Sequence, residues 1–130
     1  MPKEFSYPIT FLPCESIDEI RPFYEEYLGL EVALEQKSCI LFKIGKKAAY
    51  WGFCDHYDEQ IVSPERICLT LVVDTRGQVD KWHTRLRKNM VECKQRPSYN
   101  PNFKIYNAFY FDPTGYVIEI QAFDEDSKPM

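Results

Sequence analysis

Glu119 is the only charge in the apolar run YVIEIQAF, which follows FYFD across the turn PTG near the C-terminal end of the chain. Strand alternation puts Val117, Glu119 and Gln121 on one face and Ile118, Ile120 and Ala122 on the other. The second set suits packing beneath a helix. The first turns a carboxylate and an amide towards a concave, partly apolar surface, where the carboxylate has to be hydrated, hydrogen-bonded or paired. Three chemistries fit such a group: a local bond to a Tyr hydroxyl or an Arg across the sheet, recognition of a cationic or donor-rich ligand, and general base catalysis. The last needs a second catalytic group, and the sequence places none. Glu119 is therefore the one catalytic candidate, and no residue is assigned a catalytic role with it.

The other groups capable of chemistry are scattered. The five cysteines Cys14, Cys39, Cys54, Cys68 and Cys93 are odd in number and mostly lie inside apolar runs such as SCILF and ERICLTL. No pair has CxxC or other metal-ligand spacing, so they read as buried thiols in a reducing compartment. Cys14, with no histidine placed to activate it, reads as structural. His56 falls in a polar stretch and His83 on a helix, and both read as solvated surface residues.

A chain of 130 residues, 45% apolar, supports a single buried core domain. With 16 Lys and Arg against 20 Asp and Glu, the net charge is −4, and there is no basic stripe of the kind that neutralises nucleic-acid phosphates. The stretch MPKEFSYPIT is not apolar enough for a signal peptide or a membrane span. The expectation is a soluble, cytoplasmic protein with no membrane or nucleic-acid partner.

The elements that must position Glu119 come in two matching sets. ITFLP is a strand-like run, and ESIDEIRPFYEEYLG carries Ile17, Ile20, Phe23, Tyr24, Tyr27 and Leu28 at helical spacing. Ser16 and Glu19 form a capping box, Gly29 supplies the stop, and Pro22 predicts a distortion. Three strand-like runs follow, LEVALEQ, SCILFKIG and KAAYWGFCD. ICLTLVVD then restarts the pattern. TRGQVDKWHTRLRKNM is helical through Val79, Trp82, Leu86 and Met90, with Thr75 and Gln78 as its capping box, and VECKQ, KIYNAFYFD and YVIEIQAF complete a second set of three strands. This is a βαβββ unit played twice, with an offset near 58 that sets Ile9 against Ile67 and Tyr24 against Trp82. The first unit spans about residues 7–55, the linker 56–66, the second unit about 67–123, and a tail, 124–130, is expected to be disordered. RPSYNPNF is the candidate for a mobile flap. Aromatics cluster in the second unit's loop and in inner strands of both units, from Tyr50, Trp51 and Phe53 to Phe109, Tyr110 and Phe111, where those facing the concave side would stack on a flat or cationic ligand and the rest are core.

FYEEYLGLEV after the first helix start, the second βαβββ unit and the final FDPTGYVIEI together resemble the vicinal oxygen chelate superfamily, over residues 9–123. That superfamily includes glyoxalase I, extradiol dioxygenases, and fosfomycin- and bleomycin-resistance proteins. The resemblance implies an α+β fold of two βαβββ units whose curved sheets form a cup, and a homodimer. It also implies, for metal-dependent members, a divalent ion held by one ligand from the first and one from the last strand of each unit. Carried onto this chain, those positions are Ile9, Tyr50, Ile67 and Glu119. Two are aliphatic, one is a poor match, and only Glu119 fits, so no metal and no cofactor is expected. The leading expectation is a metal-free, small-molecule-binding protein of the bleomycin-resistance type, with a cup lined by Ile9, Tyr50, Ile67, Tyr106, Glu119 and Gln121 and taking an apolar or cationic aromatic ligand. The alternatives are a glyoxalase-like lyase or isomerase, or a dioxygenase, with an unusual ligand set around Glu119, and a regulatory module with an empty cup.

Overall fold

The computed structural model describes residues 5–58 and 60–129, so Glu59 of the expected linker, Met130 of the tail and the first four residues lie outside it. The chain divides into two compact units, one ending at Val62 and the other beginning at Ser63, a boundary inside the expected linker. Among the described residues no helix is long and apolar enough to cross a membrane.

The first unit runs β1 (Ile9–Pro13), α1 (Ile17–Arg21), β2 (Glu31–Glu35), β3 (Cys39–Lys43) and β4 (Tyr50–Cys54). Its sheet has the order β1-β4-β3-β2, with β1 parallel to β4 and the other pairs antiparallel. The predicted distortion occurs at Pro22: α1 gives way to a π-helix over Pro22–Tyr27, in which the Leu28 N–H donates to the Phe23 carbonyl. Gly29, at φ 69°, ends it in the left-handed region. The core lies between helix and sheet, where the fully buried Tyr24 ring packs 4.4 Å from Phe53, 5.6 Å from Phe42 and 6.3 Å from Trp51.

The second unit repeats the scheme with β5 (Cys68–Val72), α2 (Arg76–Lys88), β6 (Cys93–Asn100), β7 (Ile105–Phe111) and β8 (Val117–Phe123). The sheet order is β5-β8-β7-β6, with β5 parallel to β8. Val79 and Leu86 of α2 are buried against the sheet face that carries Ala108, Tyr110, Ile118 and Ile120. The turn before β8 is built by Asp112, whose Oδ1 accepts from the N–H groups of Thr114 (2.9 Å), Gly115 (2.8 Å) and Tyr116 (2.8 Å). Gly115, at φ 107°, occupies a backbone conformation that a side chain would oppose. The DPTG sequence is thus a turn-forming device that sets where β8 begins.

Several local expectations are revised. The Thr75 and Gln78 capping box is complete, but Ser16 makes no side-chain cap. Its role falls to Asp55, beyond β4, whose Oδ2 accepts from the Ile17 N–H at 3.3 Å. The expected flap is instead largely strand: residues 96–100 belong to β6, and Pro97 sits where the β6–β7 register slips, a place that tolerates a missing donor. The start of the tail, residues 124–127, is tied down. Asp124 accepts from Arg76 at 3.0 Å and from the Tyr99 hydroxyl at 2.7 Å, and Glu125–Ser127 form a 3-10 turn. Cys39 and Cys54 were expected to be reduced thiols; they are joined as a disulfide, because β3 and β4 set them directly opposite one another.

Candidate functional site

In the second unit, Glu119 lies mid-β8, opposite Thr70 of the parallel strand β5 and Phe109 of the antiparallel strand β7. Only 7% of it is exposed. Thr70 Oγ1 donates to Glu119 Oε1 at 2.7 Å, and Asn107 Nδ2 donates to Oε2 at 2.8 Å, so each carboxylate oxygen is held from a different side. The Cys68 thiol also donates to Oε1 at 3.8 Å; burial first, and the neighbouring Glu119 charge with it, hold that thiol above its ordinary pKa. The carboxylate forms one wall of a pocket of about 360 Å³, shared with Gln95, Ser98, Asn100, Phe103 and Phe109. Gln121, next on the same face of β8, is 8% exposed, and its amide oxygen is buried without a hydrogen-bond partner. The site combines an oriented carboxylate, aromatic rings and polar side chains.

Of the other residues expected in the cup, Tyr106 and Ile67 are placed differently, while Ile9 and Tyr50 share the sheet face of Phe11 and Gly52. Tyr106 is one residue out of phase with Asn107, so it stands on the helix face, where its hydroxyl donates to Asp80 Oδ1 on α2 at 2.7 Å. Ile67 precedes β5 and shares the parity of Leu69; the β5 residues on Glu119's face are Cys68, Thr70 and Val72. In the first unit, Ile9 and Tyr50 are paired at the start of β1 and β4, with the Tyr50 ring edge-on to Tyr7 at 5.2 Å. Strand register revises the match between the units. Phe11 pairs with Gly52 as Thr70 pairs with Glu119, so Gly52, not Tyr50, holds the place of Glu119. A Cβ at position 52 would lie 2.8 Å from Cδ1 and Cε1 of the Phe11 ring, so that place is occupied by Phe11.

Thr70 and Asn107, the two side chains that orient Glu119, are absent from the expected lining. Asn107 was accessible by counting back from the DPTG turn, since the hairpin pairs 109 with 119 and 107 with 121. Thr70 depended on the register of a parallel pair 49 residues distant, for which no local signal exists.

The residues present do not fit a divalent ion at the superfamily position. The first unit offers a glycine and a phenylalanine there. In the second, Glu119 is the one carboxylate, and the Asn107 group facing it is an amide N–H₂, which is no ligand. Among the described residues, a group of three side chains able to share one ion occurs elsewhere, at Cys39, Cys54 and His56.

His83, expected on the surface, is half-buried, with Nδ1 2.8 Å from the Tyr110 hydroxyl across the helix–sheet core. Burial first, then the charges of Arg96 and Arg87, hold it below its usual value, and burial raises Tyr110.

Over residues 7–120 the sequence matches the Glyoxalase/Bleomycin resistance protein/Dioxygenase superfamily. The chain belongs to that superfamily. No curated protein matches it in sequence. Among solved structures it is similar to a glyoxalase/bleomycin resistance protein/dioxygenase from Nocardioides, with a TM-score of 0.77, 16% identity, and 100% of this chain and 90% of that one covered. A lactoylglutathione lyase from Agrobacterium tumefaciens gives 0.72 at 20% identity, covering 93% and 94%. A glyoxalase/dioxygenase from Nostoc punctiforme gives 0.72 at 18%, covering 90% of each. At these identities the likeness establishes the shared fold.

Two predictions follow from this geometry. Gly52→Ala lowers the urea midpoint, by about 1–3 kcal/mol of stability. In a Phe11→Ala background the same change is neutral or slightly stabilising, since a vacated ring position leaves only the gain from a stiffer unfolded chain; equal costs in both backgrounds would refute the steric account. For His83, the ordinary value of 6.5 applies to the unfolded chain and a lower one to the fold, so below it the unfolded chain binds more protons. Stability is complete above about pH 6.5 and is lost as pH falls through the folded value. Urea midpoints measured from pH 7.5 to 5 check this, with the acid-side decline shallower in His83→Gln.

Proposed function

We propose that the protein is a metal-free small-molecule-binding member of its superfamily, of the bleomycin-resistance type, and that it takes an aromatic ligand carrying a cationic or hydrogen-bond-donating group. The observation that carries this reading is the oriented Glu119 carboxylate in the wall of the 360 Å³ pocket. Thr70 and Asn107 hold it in place before a ligand arrives, which reduces the ordering cost of binding. Phe103 and Phe109 line the same pocket and offer aromatic surface. A ligand of this type places its cation on the carboxylate and its ring against the phenylalanines. Sequestration asks nothing more of the site than affinity.

The homodimer that the resemblance implies belongs to the same proposal, with the exposed Phe5 and Tyr7 of the first unit as apolar surface in its favour.

Isothermal titration with a panel of cationic aromatic compounds tests the reading, with light scattering on the same samples for the oligomer. A binder is expected whose affinity falls about 10- to 100-fold in Glu119→Gln, since a charge-assisted hydrogen bond contributes about 1.5–3 kcal/mol. A ligand indifferent to Glu119→Gln would refute the reading. So would a stoichiometric metal that Glu119→Ala releases but a Cys39→Ser/Cys54→Ser variant retains.

A further inference from the structure

At the end of the first unit's sheet, Cys39 opens β3 and Cys54 closes β4, with Cα atoms 4.2 Å apart and the sulfurs bonded. The backbone around them is fixed on both strands. Gln36 N–H donates to the Cys39 carbonyl at 2.8 Å, Cys14 N–H to the Cys54 carbonyl at 3.0 Å, and Asp55 N–H to the Ser38 carbonyl at 3.0 Å. Asp55 also caps α1 through its side chain, which anchors the chain just before His56. His56 Nδ1 lies 3.7 Å from Cys39 Sγ, and the two sulfurs and an imidazole nitrogen all fall within 4.8 Å of one another. A disulfide that only braces two strands has no use for an imidazole beside its sulfur. Two thiolates and an imidazole are, however, a donor set for a thiophilic d¹⁰ cation.

We propose that Cys39, Cys54 and His56 form a redox-gated site for a divalent cation of the zinc class, closed by the disulfide and opened by its reduction. The site lies in the first unit and is independent of the ligand reading for Glu119. The reductant is a low-molecular-weight thiol. Its thiolate attacks Cys39 Sγ, the accessible sulfur, since Cys54 is only 1% exposed. The S–S bond breaks and Cys54 leaves with the electron pair. A second thiolate attacks the external sulfur of the mixed disulfide and releases Cys39. Two external thiols are thereby oxidised to one external disulfide, and the protein disulfide is reduced to two thiols.

Tetrahedral coordination with bonds of about 2.3 Å places the two sulfurs about 3.8 Å apart. Side-chain rotation on adjacent strands reaches that separation with the strand pairing intact. The cation displaces both thiol protons to solvent, and His56 Nδ1 supplies the third donor. The fourth position is left for water or an exogenous ligand.

The test uses the full chain, oxidised or reduced with dithiothreitol and desalted anaerobically, titrated with zinc against a chromophoric chelator. The reduced protein is expected to bind one equivalent and the oxidised protein to bind at least 100-fold more weakly. His56→Ala should weaken the reduced site at least 10-fold. A Cys14→Ser/Cys68→Ser/Cys93→Ser variant should bind as the parent does. Cobalt bound to reduced protein should show a thiolate charge-transfer band that Cys39→Ser removes. Should Cys39→Ser unfold, Cys39→Ala/Cys54→Ala, checked by circular dichroism, replaces it. Equal zinc binding by the two redox states, no binding by reduced protein, or binding that survives loss of both cysteines would each overturn the proposal.

Discussion

The parallel pairing of the first strand with the last in each unit is the constraint on which both sheets depend. It brings together residues 41 positions apart in the first unit and 49 in the second, with a helix and two strands threaded between, and it fixes which residues face one another across each pair. In the second unit the meeting pair is Thr70 and Glu119, and a hydrogen-bonded carboxylate results. In the first it is Phe11 and Gly52, and the Phe11 ring covers the glycine. One architecture thus gives two centres of opposite character, decided by two residues in each.

Burial and charge are handled differently as a consequence. The first unit concentrates its aromatic rings around Tyr24 on the helix side, and at its sheet end it carries a sulfur pair instead of an acid. The second keeps its polar groups in register along one face, where Thr70, Asn107, Glu119 and Gln121 lie on three neighbouring strands. A lone buried carboxylate would be destabilising. Shared between a hydroxyl and an amide, it becomes a fixed anion at the wall of a pocket.

The duplicated order of elements was legible because helical and strand periodicities and turn residues are local signals. β1 was readable to the residue from ITFLP, and the DPTG turn announced β8. The face assigned to Glu119 and Gln121 followed from alternation alone. What the sequence concealed depended on register between distant strands. Matching the units by turn sequence put Tyr50 in the place that Gly52 holds, and an alignment one residue out put Ile67 in the place of Cys68. The cap on α1 was concealed for the same reason: Asp55 lies 38 residues from the N–H it accepts, whereas the Thr75 and Gln78 box is contained within one turn. Cys39 and Cys54, 15 residues apart, carry no motif, and only the β3–β4 pairing reveals them as neighbours.

The slipped registers at β2 and β6 bear on how this chain behaves in a crowded solution. Both are outermost strands, and each sheet would otherwise present a row of unpaired amides to any extended segment that met it. β2 is interrupted between Val32 and Leu34 and carries Glu31 and Glu35 at its ends, while β6 is interrupted twice and holds Pro97. These breaks deny an incoming strand a continuous ladder, so a protein with so many β-forming aromatics is protected from templated aggregation along these two margins.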